Sequence, residues 1–307
     1  MTEDARSFHA PPNPLAMQVY PERVHELDRV RHAVLQTPRG ILATVVRTQG
    51  STYRRAGARV VVSEDGRVVG AISGGCLERD LAERIRPWLT SMQRLLVTYD
   101  STRPDDLVFG LGLGCRGTLE LLIEPFDASH PPSLLAFVWR GREPVEWTTE
   151  LPDGTTLLEI IHPQRAIVVF GGSADSEPVL RLAESVGWRA DLVTTRDPIS
   201  LDDYDAAVVM THNFLRDTEL LPQLLDSHLA YIGLLGPKSR GEELLGERAR
   251  DPRLHSPIGL DLGSETPEEI ALSIVAEIQS VLQRRSARPL CELDAPIHEP
   301  ADRPTCV

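Results

Sequence analysis

A cysteine follows two glycines in the stretch "SGGCLE", residues 73–78, directly after a run of apolar residues. The pattern predicts a strand that ends at Ser73 and a helix that begins near Cys76. Two consecutive glycines allow another molecule to approach the backbone closely, and the free N–H groups at a helix start favour an anion. The same positive field lowers the pKa of a thiol and raises its thiolate fraction. Cys76 is therefore a candidate reactive thiolate, and the alternative is a small buried residue behind a glycine turn.

A second cysteine lies in the glycine-rich stretch "FGLGLGCRGTLELLIEP". Gly114, Arg116 and Gly117 flank Cys115, and a predicted strand follows. Such a density of glycine ahead of a strand is typical of a loop that wraps a ligand. The alternative is a flexible connection with a buried cysteine. A second glycine-flanked cysteine in the same half of the chain favours a functional interpretation of both.

A third glycine-containing stretch, "IVVFGGSADSEPVL", lies where a dinucleotide-binding loop would be expected. The usual G-x-G-x-x-G pattern needs glycines at positions 171, 173 and 176, and only Gly171 is present. Gly172 still permits a turn, and the following helix start still favours an anion. Glu177, however, places a negative side chain beside any pyrophosphate. The stretch therefore argues against the ordinary mode of NAD binding.

Two further strand ends carry polar side chains. Thr211 and His212 terminate one predicted parallel strand, which is the position at which open α/β sheets bind ligands. His212 is a candidate acid/base group or a hydrogen-bond donor to a phosphate, and the alternatives are a cap on the following helix and a side chain in solvent. Gly233 and Gly236 flank the next strand end. Lys238, the sole lysine of the chain, follows them and is either a hydrogen-bond donor to an anion or a solvated loop residue.

The elements that would position these residues follow two patterns. In the first half, apolar runs around an Asp-Gly turn signal predict a β-hairpin, and apolar residues at helical spacing predict helices over 22–36 and 76–89. In the second half, near-continuous apolar strands alternate with helices, which is typical of a parallel sheet of Rossmann type. The predicted organisation is a disordered leader over 1–21, an N-terminal domain over 22–140, a hairpin and linker over 141–164, a Rossmann-like domain over 165–286 and a tail over 287–307.

The composition excludes several classes of protein. The 307 residues are 41% hydrophobic and 25% charged, which is typical of a globular protein. A net charge of −13 argues against nucleic-acid binding, since phosphate contacts need clustered Lys and Arg. Neither a membrane helix nor a signal peptide is indicated, so a cytoplasmic location without membrane attachment is expected. The four cysteines form no C-x-x-C pair, which argues against a disulfide framework and against structural zinc.

Five segments together resemble the XdhC/CoxI family, the accessory and maturation factors of xanthine dehydrogenase, carbon monoxide dehydrogenase and related molybdenum hydroxylases. The segments are "TQGSTYRRAGARVVVSEDGRVVGAISGGCLERD", "GLGCRGTLELLIEP", "VVMTHNFLRD", "YIGLLGPKSR" and "PIGLDLGSETPEEIALSIVAEI". They cover most of the chain, over 22–125 and 165–284. The resemblance implies an α/β fold, in which an N-terminal α/β domain is followed by a Rossmann-like domain with a doubly wound parallel sheet.

The resemblance also implies a function. Members bind the molybdenum cofactor (molybdopterin), protect it while a sulfur ligand is installed on the metal, and deliver it to a molybdenum hydroxylase. It further implies a non-catalytic factor, a cysteine desulfurase as a second partner, and a homodimer. Cys76 would contact the metal as a soft thiolate, and Arg54, Arg55 or Arg116 would bind anionic oxygens. The predicted cofactor-binding residues are Ser73, Gly74, Gly75, Cys76, Glu78, Gly114, Cys115, Arg116, Gly171, Gly172, Thr211, His212, Gly233 and Gly236.

Two other functions stay open from the sequence. An oxidoreductase would bind NAD(P) through the Rossmann-like domain, although the altered glycine loop weighs against it. A regulatory or assembly partner would bind the client enzyme and hold no cofactor. The sequence offers no Ser-His-Asp or metal-hydrolase constellation, which favours an accessory protein over a hydrolase.

Overall fold

The computed structural model describes residues 23–50, 52–100, 117–137, 142–195 and 199–294. The chain forms two compact units, Met1–His162 and Pro163–Val307. The sheet of the first unit is antiparallel and that of the second is parallel. Within the described ranges, no helix combines the length and the apolar character needed to cross a membrane.

The first unit is built on a five-stranded antiparallel sheet. Its elements in chain order are α1 (Arg23–Gln36), β1 (Arg39–Gly50), β2 (Arg59–Ser63), β3 (Val68–Gly70), α2 (Cys76–Ser91), β4 (Leu95–Asp100) and β5 (Gly117–Asp127). The strands lie in the order β3-β2-β1-β5-β4, and every adjacent pair is antiparallel. Both helices form within a few residues of the ends that the apolar spacing predicts.

Helix α2 packs on one face of this sheet through the apolar residues that its spacing indicates. Leu77, Leu81, Ile85 and Leu89 are each at most 5% exposed and join the core side chains of the strands. Helix α1 covers the opposite face. Burying a Leu or Ile side chain stabilises a fold by about 1.5–3 kcal/mol. The stripe therefore fixes α2 on the sheet, together with the loop that precedes it.

A β-hairpin follows the sheet, as the sequence predicts, and consists of β6 (Val145–Glu150) and β7 (Thr156–Ile161). It packs against the first sheet, because Leu157 joins Val46 and Leu122 in one apolar cluster. A buried ion pair also joins the hairpin to β2. These contacts make the hairpin part of the first unit, and the division between the units follows it.

The second unit is a parallel sheet with helices on both faces. Its elements are β8 (Ala166–Phe170), α3 (Ser176–Ser185), β9 (Arg189–Val193), β10 (Ala206–Val209), α4 (Phe214–Leu225), β11 (Tyr231–Leu234), α5 (Lys238–Leu245), β12 (Leu254–His255) and α6 (Pro267–Leu282). The strands lie in the order β12-β11-β10-β8-β9. Helices α3 and α6 cover one face, and α4 and α5 cover the other. The predicted α/β class with a doubly wound parallel-sheet domain is confirmed.

A buried polar cluster joins α6 to the parallel sheet. The carboxylate of Glu277 accepts hydrogen bonds from the Tyr231 hydroxyl at 2.5 Å and the Gly259 N–H at 2.7 Å. It also lies 3.0 Å from Nδ1 of His255, whose ring stacks on that of Tyr231. Burial would raise the pKa of Glu277, but the contacts with His255, Tyr231 and Gly259 outweigh it and hold the pKa below its ordinary value.

Acid pH is expected to destabilise the second unit through Glu277. Its pKa is lower in the folded state, so the unfolded state takes up the proton first as the pH falls. The stability that Glu277 contributes is therefore complete above its ordinary pKa of 4.5 and is lost as the pH falls through the folded-state pKa. Urea unfolding at a series of pH values measures this decline. Glu277→Gln is expected to lose about 1–3 kcal/mol at neutral pH and to decline less steeply in acid. An equally steep decline in the variant would contradict the assignment.

Candidate functional site

Three connections that carry predicted site residues leave the first sheet at the same end of its strands. Strand β1 ends at Gly50, opposite Gly117, where β5 begins, and β4 ends opposite the next residue of β5. Strand β3 ends at Gly70, beside the start of β2. The β1–β2, β3–α2 and β4–β5 connections therefore start from the same end of the strands. Cys76 follows the second of them, and Cys115 belongs to the third.

The carboxylate of Glu78 holds the loop before α2 in shape. Its Oε1 accepts hydrogen bonds from the N–H groups of Ile72 and Ser73, both at 2.7 Å. Its Oε2 accepts from the Ser73 hydroxyl and from the Gly75 N–H at 3.1 Å. The Ser73 oxygen in turn accepts from the Leu77 N–H at 3.1 Å. Glu78 and Ser73 are both buried, and hydrogen bonds away from solvent are electrostatically stronger.

The charge of Glu78 is stabilised by the same contacts. Burial alone would raise its pKa, but the Ser73 hydroxyl and the backbone N–H groups outweigh it and hold the pKa below its ordinary value. Glu78 is therefore ionised at neutral pH, at the helix end that favours a negative charge. The oxygens of Glu78 and Ser73 are engaged by donors of the chain itself. These contacts shape the loop.

The loop leaves its glycines and its cysteine accessible. Gly74 and Gly75 are exposed, and no atom lies within 4 Å of the point where a side chain would begin. Gly75 adopts a φ of 109°, a left-handed conformation that glycine tolerates best. Cys76 carries a free, partly exposed thiol. Across the described ranges, no acceptor bonds the N–H of Gly74 or Cys76, so both N–H groups can donate to a ligand.

Part of the predicted site lies outside the described residues. This applies to Gly114, Cys115 and Arg116, which precede β5. Among the residues that are described, no group of three or more His, Cys, Asp or Glu side chains is placed to hold a metal ion. A metal contact through Cys76 therefore stays a prediction about a bound cofactor rather than about a resident metal site.

The second unit has its own strand-end cluster. The strand order reverses between β8 and β10, and open α/β sheets bind ligands at such a switch point. Thr211 follows β10, and its hydroxyl donates to the carboxylate of Asp217, which is 1% exposed. The same carboxylate accepts from Nη2 of Arg240 at 2.6 Å. These bonds tie the ends of β10 and β11 together and engage Thr211 and Arg240 within the domain.

His212 reaches across the switch point. Its Nε2 lies 2.8 Å from Oδ2 of Asp175, and the ring is 55% exposed. Burial would raise the pKa of Asp175, but the Ser173 hydroxyl and His212 outweigh it and lower the pKa. The helix cap is supplied by Asn213, whose side chain accepts from the Arg216 N–H at 3.1 Å. His212 is therefore free of the capping role, and its other ring nitrogen is available to hydrogen-bond an oxyanion.

Close packing accounts for glycines near the strand ends of the second unit. A side-chain carbon at Gly171 would lie 2.5 Å from a hydroxyl oxygen in the first turn of α3. One at Gly233, inside β11, would lie 2.1 Å from the side chain of Ile258. Gly172 and Gly236 lie in the turns after β8 and β11. Because carboxylates also open α3, the loop after β8 is a poor site for a pyrophosphate.

Sequence reasoning missed the partners of these strand-end residues. Asp175 and His212 are 37 positions apart, and no spacing rule joins them. The guanidinium of Arg216 donates to the backbone oxygens of three consecutive residues at the end of β9, the closest at 2.6 Å. The one local signal was the position of Asn213, three residues before Arg216, which is typical of a helix N-cap.

These features define a class of two-domain protein, with an antiparallel-sheet domain that presents a Ser-Gly-Gly-Cys loop and a parallel-sheet domain of Rossmann type. Residues 34–100 match the XdhC and CoxI family, and residues 167–278 match the XdhC Rossmann domain. The chain belongs to the XdhC and CoxI family. The resemblance carried by its five segments is thereby confirmed.

Several relatives match most of the chain. A protein of Bacillus subtilis named as a probable xanthine dehydrogenase subunit is 31% identical, over 80% of this chain and 93% of that protein. Molybdenum cofactor insertion chaperone PaoD of Escherichia coli is 25% identical, over 81% of this chain and 85% of that protein. A crystal structure of a xanthine dehydrogenase from Bacillus halodurans superposes with a TM-score of 0.71 at 27% identity, and the match covers 88% of this chain and 98% of that one.

Proposed function

We propose that the protein is a maturation chaperone that binds the molybdenum cofactor and delivers it to a molybdenum hydroxylase. The observation that carries the proposal is the end of the first sheet's strands from which the Cys76 loop and two other connections leave together. An accessible thiol, exposed glycines and unbonded N–H groups belong to that loop. The names of the two relatives, one an insertion chaperone for this cofactor and the other part of a xanthine dehydrogenase, support the cargo and the client.

The groups in the loop suit the chemistry of this cargo. The cofactor carries a phosphate and a metal held by sulfur ligands. Cys76 offers a soft sulfur ligand of the kind that pairs with such a metal. The N–H groups of Gly74 and Cys76, at the start of a 16-residue helix, suit an oxyanion. Glu78 bonds the N–H groups of Ser73 and Gly75, on either side of Gly74, so the ligand meets a loop that is already shaped.

The proposal extends to the partners of the chaperone. A molybdenum hydroxylase receives the cofactor, and the names of the relatives support a client of this class. A cysteine desulfurase that supplies the sulfur ligand and a homodimeric assembly are finer parts of the proposal. Both of these rest on the family resemblance alone.

Cofactor co-purification tests the proposed function directly. Wild-type protein from a cofactor-producing host is expected to carry molybdopterin, which is measured as its fluorescent oxidation product. Cys76→Ala is expected to retain at least about tenfold less, equivalent to about 1.4 kcal/mol of binding free energy. Cys291→Ala is the matched control, since Cys291 is an exposed free cysteine in the other unit.

The outcomes test separately whether the protein carries the cofactor and whether the Cys76 thiol contributes to binding it. Wild-type protein that carries no molybdopterin would contradict the proposed function. Equal retention in wild type and Cys76→Ala would keep the cargo and remove the thiol from the site. Calorimetry with NAD, NADP and their reduced forms tests the oxidoreductase alternative, which micromolar binding would favour.

A further inference from the structure

Two adjacent arginines in the β1–β2 connection differ in their surroundings. Arg54 donates through Nη2 to Oε2 of Glu26 in α1 at 2.5 Å, and both side chains are largely buried. Arg55 is also partly buried, and its Nε is shut off from solvent. Within the described part of the chain, no nitrogen of its guanidinium has a hydrogen-bond or ion-pair partner. One arginine is therefore engaged and its neighbour is not.

A partly buried guanidinium without a partner in the chain favours the binding of an anion. A buried donor without an acceptor destabilises the folded state, and Nε of Arg55 is such a donor. Arg55 nevertheless sits in a firmly held turn: its own carbonyl accepts from the Ala58 N–H at 3.1 Å, and the Gly57 N–H bonds the Val45 carbonyl at 2.7 Å. A rigid backbone and a buried, unpaired Nε together suit a receptor for an anion that the rest of the guanidinium can reach.

The chemistry of the guanidinium indicates which anion it takes. Its planar fork donates two parallel N–H bonds, which match the oxygens of a phosphate. The β1–β2 connection leaves the sheet at the same end of the strands as the Cys76 loop. The thiol and the unpaired guanidinium therefore belong to two connections that leave the same end of the strands.

We propose that Arg55 is the receptor for a phosphomonoester, and that the phosphate it binds is that of the cofactor. The second half of this statement rests on the proposed function, whereas the anion site itself does not. Arg54, which lies next to it in the chain, is excluded from the role because Glu26 already neutralises it. Arg55 therefore recognises the phosphate end of the cargo, apart from the metal end that Cys76 would contact.

Phosphate titration and cofactor retention, measured on the same proteins, test the proposal. The variants are Arg55→Gln, Arg55→Lys and the matched control Arg54→Gln, each as the full chain. Inorganic phosphate is titrated by calorimetry and by its effect on the melting temperature, since a ligand of the folded state raises that temperature. Arg55→Gln is expected to weaken phosphate binding about 10- to 100-fold and to lose the stabilisation by phosphate. Arg55→Lys is expected to recover part of it, and Arg54→Gln to bind phosphate as wild type does.

The two readouts distinguish this proposal from the proposed function. Loss of both phosphate binding and molybdopterin in Arg55→Gln, with both kept in Arg54→Gln, supports it. Wild-type phosphate binding in Arg55→Gln overturns the anion site, even where the wild-type protein carries molybdopterin. Phosphate binding that depends on Arg55, in a wild-type protein that never retains molybdopterin, overturns the cofactor as the source of the phosphate and contradicts the proposed function.

Discussion

Replacing Glu78 with alanine is expected to destabilise the first unit by about 2–4 kcal/mol and to abolish retention of the cofactor. The carboxylate is buried and accepts from the N–H groups of Ile72 and Ser73, both at 2.7 Å. Both donors lose their acceptor in the variant, at about 1–3 kcal/mol for each buried group. The Ser73 hydroxyl, which bonds the first turn of α2, loses its own partner as well. The loop that presents Cys76 would then rearrange without any change to the thiol.

Urea unfolding measures the stability change, and the molybdopterin content of the purified protein measures the functional one. Glu83→Ala is the matched control, because Glu83 is an exposed carboxylate on the same helix and its loss is expected to change stability by no more than about 0.5 kcal/mol. Glu78→Gln keeps the size of the side chain but turns N–H donors toward the donors of the loop. A Glu78→Gln protein with wild-type stability and wild-type cofactor content would show that the carboxylate does not position the loop.

Local signals in the sequence predicted most of the elements. The α2 stripe is an example, because residues three and four apart share a helix face whatever the rest of the fold does. Helix α6 is another: Thr266 precedes a proline and two glutamates, which is typical of an N-cap, and its hydroxyl accepts from the Glu269 N–H at 3.3 Å. The parallel sheet followed from alternating apolar strands and helices. Each of these inferences depends on residues within a turn or a strand of one another.

The geometry of the site could not be read in this way, because it depends on pairings between distant positions. The three connections leave the same end of the strands only because β1 pairs with both β2 and β5 in antiparallel register. Arg54 and Arg55 look equivalent in the sequence, and only the position of α1 assigns Glu26 to the first of them. Strand order and ion-pair partners are properties of the folded chain, and a single sequence has no local pattern that encodes them.

Buried carboxylates perform the same task in both units. In the first unit Glu78 collects the donors of the loop before α2, and in the second Asp217 collects those at the ends of β10 and β11. Each acidic side chain faces inward and is satisfied by the chain. The groups left for a ligand are therefore the ones with little side chain or an unpaired donor, such as Gly74, Cys76 and Arg55. Positioning and contact are assigned to different residues, so variants can test them separately.

The buried pair of Arg59 and Glu159 is expected to give the largest single-residue effect on stability. Both side chains are 6% exposed, and the guanidinium meets the two carboxylate oxygens while also donating to the Gly57 carbonyl at 2.8 Å. Glu159→Gln leaves the buried guanidinium without its counter-charge, which costs about 3–5 kcal/mol. Urea unfolding of the first unit measures the loss. Glu146→Gln, at an exposed position on the partner strand β6, is the control and is expected to match wild type.

The double variant Arg59→Met with Glu159→Leu tests whether the pair stabilises the fold or only becomes costly when it is broken. Moving two charges out of water offsets much of their attraction, so an apolar replacement of both is often neutral or stabilising. We expect the double variant to recover to within about 1 kcal/mol of wild type, while either single variant stays destabilised. A double variant as unstable as Glu159→Gln would contradict this and would show that the ion pair itself anchors the hairpin. Recovery would instead assign the anchoring to the apolar contact of Leu157, and the ion pair would then serve to fix the position of the hairpin against β2.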